Sequence, residues 1–161
     1  MNKDVLGIDC GNVILSQMNG TPVAGVLDAL AGIVTSKRFE TTRGIDIWVV
    51  SKCGQRVQDL SLGWLKAINF WEYTGIPESN IRFCRDYQGK APICEDLGIT
   101  HFVDDKPEVL AHLQKVPHLF AFNPKVPALL KYQHLVEHWT LVKNWPELAA
   151  LLLKPTSHLQ S

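Results

Sequence analysis

The chain has 161 residues, 46% of them hydrophobic and 20% charged, a size and balance that suit one domain with its own apolar core. Lys and Arg number 16 and Asp and Glu number 16, for a formal net charge of +0. The whole chain therefore carries no clear nucleic-acid footprint and no charge drive toward an anionic membrane. The apolar run Val5 to Ile8 is too short for a signal peptide or a membrane span. Cys10, Cys53, Cys84 and Cys94 make no C-x-x-C pair, and reduced thiols in a cytoplasmic protein are expected.

In chain order, Val5-Leu6-Gly7-Ile8-Asp9 reads as a buried strand ending in a carboxylate. An irregular stretch follows, marked by Gly11, Asn12, Gly20 and Pro22. Apolar spacing predicts a helix over 23–36, and the β-branched run 45–50 predicts a second buried strand. Helical periodicity returns over 55–71. A short strand is expected at 80–84, and a helix over 91–97 ends at Gly98, a natural C-cap. Strand 101–104 again ends in carboxylates, and a helix with Pro107 in its first turn covers 107–114. A strand at 118–122, a helix over 128–138, an edge strand at 140–143 and a helix over 146–153 complete the reading. A single domain is expected over 1–154, with a disordered tail at 155–161.

Strands alternating with helices predict an α/β, three-layer, Rossmann-like fold. Its central sheet is expected to be mainly parallel, with about five strands and helices on both faces. Reactive groups in such sheets collect at the carboxyl ends of the strands. Here those ends carry Asp9, Ser51 and the pair Asp104-Asp105.

With Lys90, these residues describe a phosphoryl-transfer site. Carboxylates from neighbouring strand ends can share a hard cation, and Mg²⁺ favours few carboxylates and several waters. The cation neutralises a phosphate oxygen, so that an anionic nucleophile can approach an anionic substrate. Ser51 donates a hydrogen bond to the transferring group, and Lys90 supplies fixed positive charge. Asp9 is then the nucleophile that forms an aspartyl-phosphate. Lys52 is the alternative cation for the phosphate. Asp105 has two readings: a metal ligand through water, or a hydrogen-bond partner for backbone at the next helix start.

The order of these residues resembles the four motifs of the haloacid dehalogenase-like superfamily. Ile8-Asp9-Cys10-Gly11-Asn12-Val13-Ile14 is similar to its first motif, and Val49-Val50-Ser51-Lys52 to its second. Lys90-Ala91-Pro92 with Leu97-Gly98-Ile99 is similar to the third, and Phe102-Val103-Asp104-Asp105-Lys106-Pro107 to the fourth. The match runs roughly from residue 5 to 110 and is specific as an ordered set. The resemblance implies a Mg²⁺-dependent phosphatase acting on a phosphorylated substrate. Asp9, Asp104, Asp105 and the Gly11 carbonyl would be its metal ligands, and Ser51 and Lys90 would bind the phosphate.

Two departures from the family pattern bear on function. Gly11 stands where the family's phosphatases usually carry a second Asp as general acid, a group worth about 10²–10⁴-fold in rate. Neither 14–45 nor 55–90 has room for a folded cap. Uncapped relatives act on larger substrates, or use a partner subunit as a lid, so a homo-oligomer is one expectation. Two other classes stay open: a binding or regulatory protein without efficient turnover, and a metal-independent dehalogenase-type hydrolase. The latter relies on a helical cap.

Other motifs point elsewhere more weakly. His134-Leu135-Val136-Glu137-His138 matches a zinc-protease pattern, but only Glu147 remains downstream as a third acidic ligand. Two surface histidines are expected. Neither Cys53 nor Cys84 has an Arg six residues on, as cysteine phosphatases require, and Gly89-Lys90 lacks the upstream glycine of a phosphate-binding loop.

Overall fold

Short apolar runs bounded by turn residues become the strands of one parallel sheet. The structure, a computed structural model, describes residues 3–154; the tail expected at 155–161 lies outside them. β1 (Leu6–Ile8) leads to α1 (Val26–Thr35), then to a hairpin of β2 (Glu40–Thr41) and β3 (Gly44–Ile45), and then to β4 (Ile47–Lys52). α2 (Gln55–Ala67), α3 (Phe70–Thr74) and β5 (Ile81–Cys84) follow, with α4 (Lys90–Leu97) and β6 (His101–Asp104) after them. α5 (Pro107–Leu110), β7 (His118–Phe122), α6 (Val126–Lys131), α7 (Gln133–Val136), β8 (Trp139–Val142) and α8 (Trp145–Leu152) complete the described chain.

The large sheet has the order β5-β4-β1-β6-β7-β8, and every neighbouring pair in it is parallel. The chain starts at the centre, builds outward through β4 to β5, then crosses back to build β6, β7 and β8. This is the strand order of the doubly wound nucleotide-binding folds, which place ligands where the direction of building reverses. Side chains alternate across the sheet, as strand geometry requires. Ile47, Val49, Val103, Phe120 and Phe122 join one apolar cluster with residues of α1, α3 and α8. Trp48, Val50, Phe102, Leu119 and Ala121 join a second, with residues of α4, α5 and α7.

Four expectations need correction. The sheet has six strands, because the edge strand near 140–143 is a full member. Each of its faces is buried at one position, Trp139 on one and Val142 on the other, while Thr140 and Leu141 are exposed, so it lacks the continuous apolar run of a central strand. The helix expected over 55–71 breaks at Asn69, whose φ of 53° is left-handed. That break turns both Phe70 and Trp71 into the core. The helix over 128–138 is two short helices parted at Tyr132, and the helix over 107–114 stops at Leu110. The β2–β3 hairpin was not expected. It is held by buried Asp46, which accepts from Thr41 Oγ1 at 2.7 Å and pairs with Arg43 at 2.7 Å.

Candidate active site

Strand register puts the acidic residues side by side. Ile8 pairs with Val103 across β1 and β6, so Asp9 and Asp104 leave adjacent strand ends at one level. The Asp9 amide donates to the Val103 carbonyl at 2.9 Å, which holds that level one residue past the ladder. Ile8 also pairs with Val49 on β4, so Ser51 stands one residue before the end of the neighbouring strand on the other side. Lys90 opens α4, which packs against β4.

The four side chains line one cleft of about 260 Å³, with Gly11, Gln17, Lys52, Trp64 and Tyr87 among its other walls. At its floor Lys90 Nζ donates to Asp9 Oδ1 and to Asp104 Oδ2, each at 2.8 Å. Lys90 is only 1% exposed and Asp104 0%. Charges that deep persist only when paired and hydrogen-bonded. The other oxygen of Asp104 accepts from the Lys106 amide at 3.0 Å. Asp105 lies close enough for one oxygen from each of the three aspartates to fall within 4.8 Å of the others. Its Oδ1 is buried without a hydrogen-bond partner among the described residues.

These groups hold more negative charge than Lys90 balances. Burial, then the neighbouring Asp105 charge, push Asp9 up to about 6 against the pull of Lys90. Burial and Asp9 push Asp104 up to about 7. Asp105 is raised by burial and by Asp104. Burial opposes the charge on Lys90, but Asp104 and Asp9 outweigh it and raise its pKa, so it stays an ammonium. The cluster thus has hard oxygen donors, one of them orphaned, and a shortage of positive charge.

The loop after β1 is ordered by its own hydrogen bonds. Asn12, with a left-handed φ of 62°, donates its amide to the Leu15 carbonyl at 2.7 Å, and Val23 returns to Ile14 at 2.8 Å. Trp145 Nε1 donates to the Val13 carbonyl at 2.7 Å and ties the loop base to α8. Gly20 has a φ of +74°, and a Cβ there would meet the Trp64 ring at 2.2 Å. The loop therefore closes down on α2 at a point where only glycine fits.

Gly11 is also a close approach. A Cβ at residue 11 would lie 2.6 Å from Gln17 Nε2 and 2.7 Å from Gln17 Cγ. The space beside the Asp9 loop where a side chain at 11 would start is filled from six residues downstream. Gln17 is oriented by Asn12: its Oε1 accepts from Asn12 Nδ2 at 3.0 Å, and its amide donates to Asn12 Oδ1 at 3.1 Å.

Asp9, Ser51, Lys90, Asp104 and Gly11 thus share one cleft, and Asp105 stands at its acidic edge. Lys52 lines the same cleft but is exposed, with its ammonium 4.6 Å from the Tyr87 ring centre, whereas Lys90 is buried against Asp9 and Asp104. His134 and His138 are exposed and do not share a helix, since α7 ends at Val136. Gln17, Trp64 and Tyr87 were not anticipated as site residues. Gln17 sits in a loop without periodicity, and nothing in its neighbours marks it; only the return of the loop brings it back to Gly11. The intervals 14–45 and 55–90 hold α1, the hairpin, α2, α3 and β5, and no cap. No helix among the described residues is long and apolar enough to cross a membrane. No protein-family model matches this chain, and no curated protein matches it.

Proposed function

We propose that this chain is an uncapped hydrolase of the haloacid dehalogenase-like kind, a Mg²⁺-dependent phosphatase that works through an aspartyl-phosphate on Asp9. The observation that carries the reading is the buried bridge from Lys90 to both Asp9 and Asp104, at the carboxyl ends of adjacent parallel strands. Such a bridge is expensive as a structural device, because a buried ion pair commonly stabilises less than apolar packing would. Strongly shifted carboxyls in a cleft are more typical of functional sites.

Asp9, Asp104, Asp105 and the Gly11 carbonyl would hold the cation. The fit rests on the orphaned Asp105 oxygen and on an all-oxygen donor set, which suits a hard divalent ion. When bound, that ion supplies the positive charge that offsets a phosphoryl oxygen. The chain's own residues do the rest. Lys90 holds Asp9 in its ionised form and faces the phosphoryl oxygens together with Ser51. Asp9 presents its carboxylate at the cleft floor, and water later hydrolyses the acyl phosphate. The mostly parallel α/β sheet and its strand order are consistent with a Rossmann-like fold.

A second reading is favoured by one feature: Gly11 has no side chain to protonate a leaving group. On that reading the chain binds phosphorylated partners without efficient turnover. The two separate in one assay. The purified protein with Mg²⁺ should hydrolyse an activated aryl phosphate such as p-nitrophenyl phosphate, and Asp9→Asn or excess chelator should abolish the activity. Wild type and Asp9→Asn equally silent across a broad phosphate panel would sink the enzyme reading. Activity that survives chelator would remove the metal from it.

A further inference from the structure

We infer that Gln17 takes over the place of the absent side chain at residue 11, as a fixed hydrogen-bond donor to the leaving-group oxygen. It would confine the site to phosphates whose leaving groups depart without a proton. The inference rests on the phosphatase reading above. Its own support is geometric. Gln17 Nε2 and Cγ occupy the space into which a residue-11 side chain would grow. The paired hydrogen bonds with Asn12 use the Gln17 side-chain carbonyl oxygen and its backbone amide and leave the side-chain amide hydrogens uncommitted, and Gln17 lines the cleft with Asp9, Ser51 and Lys90. No acceptor for Nε2 is found among the described residues. An amide can donate but cannot release a proton in the working pH range, so it stabilises a developing anion without protonating it.

The step balances without a general acid. An oxygen of ionised Asp9 bonds to phosphorus, and the bond from phosphorus to the leaving oxygen breaks. The electron pair goes to that oxygen, which leaves as an anion hydrogen-bonded to Gln17 and takes its proton from solvent. Water then cleaves the aspartyl-phosphate, its oxygen ends in inorganic phosphate, and Asp9 is regenerated. Aryl and acyl phosphates, whose leaving groups are stable anions, fit this step. Simple alkyl phosphates do not. The apolar wall of Val57, Trp64 and Tyr87 on the same cleft suits an aryl group.

Gln17→Glu is the decisive variant. A glutamic acid keeps an oxygen for Asn12 to donate to and puts a titratable hydroxyl where Nε2 was. Gln17 is exposed, so the change leaves the core alone. With Mg²⁺ and matched aryl and alkyl phosphates, wild type should show a steep dependence on leaving-group pKa. In Gln17→Glu the alkyl rate should rise by about 100-fold, the low end of what a general acid contributes, and a new ionisation should appear on the kcat/KM profile. Gln17→Ala should lose more rate on poor leaving groups than on good ones. Gln17→Glu with an unchanged leaving-group dependence and pH profile, while Asp9→Asn is inactive, overturns the role of Gln17 and leaves the phosphatase reading standing. Equal losses on all substrates in Gln17→Ala do the same. A wild type silent on every aryl phosphate overturns both.

Discussion

Replacing Lys90 by methionine keeps the length of the side chain and removes its charge. In the native cleft Lys90 Nζ is the shared partner of Asp9 Oδ1 and Asp104 Oδ2, at 2.8 Å from each. Lys90→Met leaves two buried carboxylates facing each other and Asp105. Stranding charge in this way costs about 3–5 kcal/mol. A chain of this size loses about 2–4 °C of melting temperature per kcal/mol, so a drop of roughly 10 °C is expected near pH 8. The deficit should shrink with acid. Asp9 and Asp104 already sit at about 6 and about 7 in the native state, against 3.8 without the fold. Their folded forms hold protons that the unfolded chain has released, so their contribution is fully present below 3.8 and is lost as pH rises through 6 and 7. Without Lys90 both pKa values move higher still, and protonation at pH 5 neutralises the stranded pair. Circular-dichroism melts of both proteins in chelator, at pH 5 and pH 8, read the effect. A variant that melts within about 2 °C of wild type at pH 8, or a deficit that is the same at both pH values, would refute the electrostatic account of the cleft.

Two further changes test the frame around the site. Gly20→Ala should destabilise the protein by about 1–3 kcal/mol through a left-handed backbone and a clash with Trp64, and should lower any aryl phosphatase activity with it. Retention of both wild-type stability and activity would show that the loop need not close on α2. His101 is held down to about 4 by burial and by the neighbouring His118. The unfolded chain therefore takes up a proton that the folded chain refuses, and stability falls as pH drops from about 6.5 to 4, by about 3 kcal/mol in all. Urea titrations should show His101→Phe losing less than wild type across that window, and parallel losses would contradict the assignment.

Much of the site was legible because its parts are local. A strand end is marked by an apolar run that stops at a polar residue, and Asp9, Ser51 and Asp104 each show that signal. Lys90 stands at the head of a helix that Gly98 closes in a left-handed C-cap. Less legible were features set by packing between distant segments. The break at Asn69 is decided by two aromatic side chains that need the core, which overrides a helical period that continues through them. β8 is half exposed, so its pattern supports an edge strand but not a full sixth member of the sheet. Gln17 carried no signal, because its role comes from a loop that folds back on Gly11.

The order of apolar runs, turn residues and polar strand ends was enough to determine the α/β class and the residues that meet at the sheet's carboxyl edge. Parallel strands are buried on both faces, so their sequences must be apolar until the chain leaves the sheet. Tertiary structure alone decided that Lys90 bridges Asp9 to Asp104, that one Asp105 oxygen has no hydrogen-bond partner among the described residues, and that an amide from residue 17 fills the room beside Gly11. Those facts depend on strand register, on the depth at which an ammonium is buried, and on where an aperiodic loop returns, and none of the three is encoded in the spacing of residues along the chain.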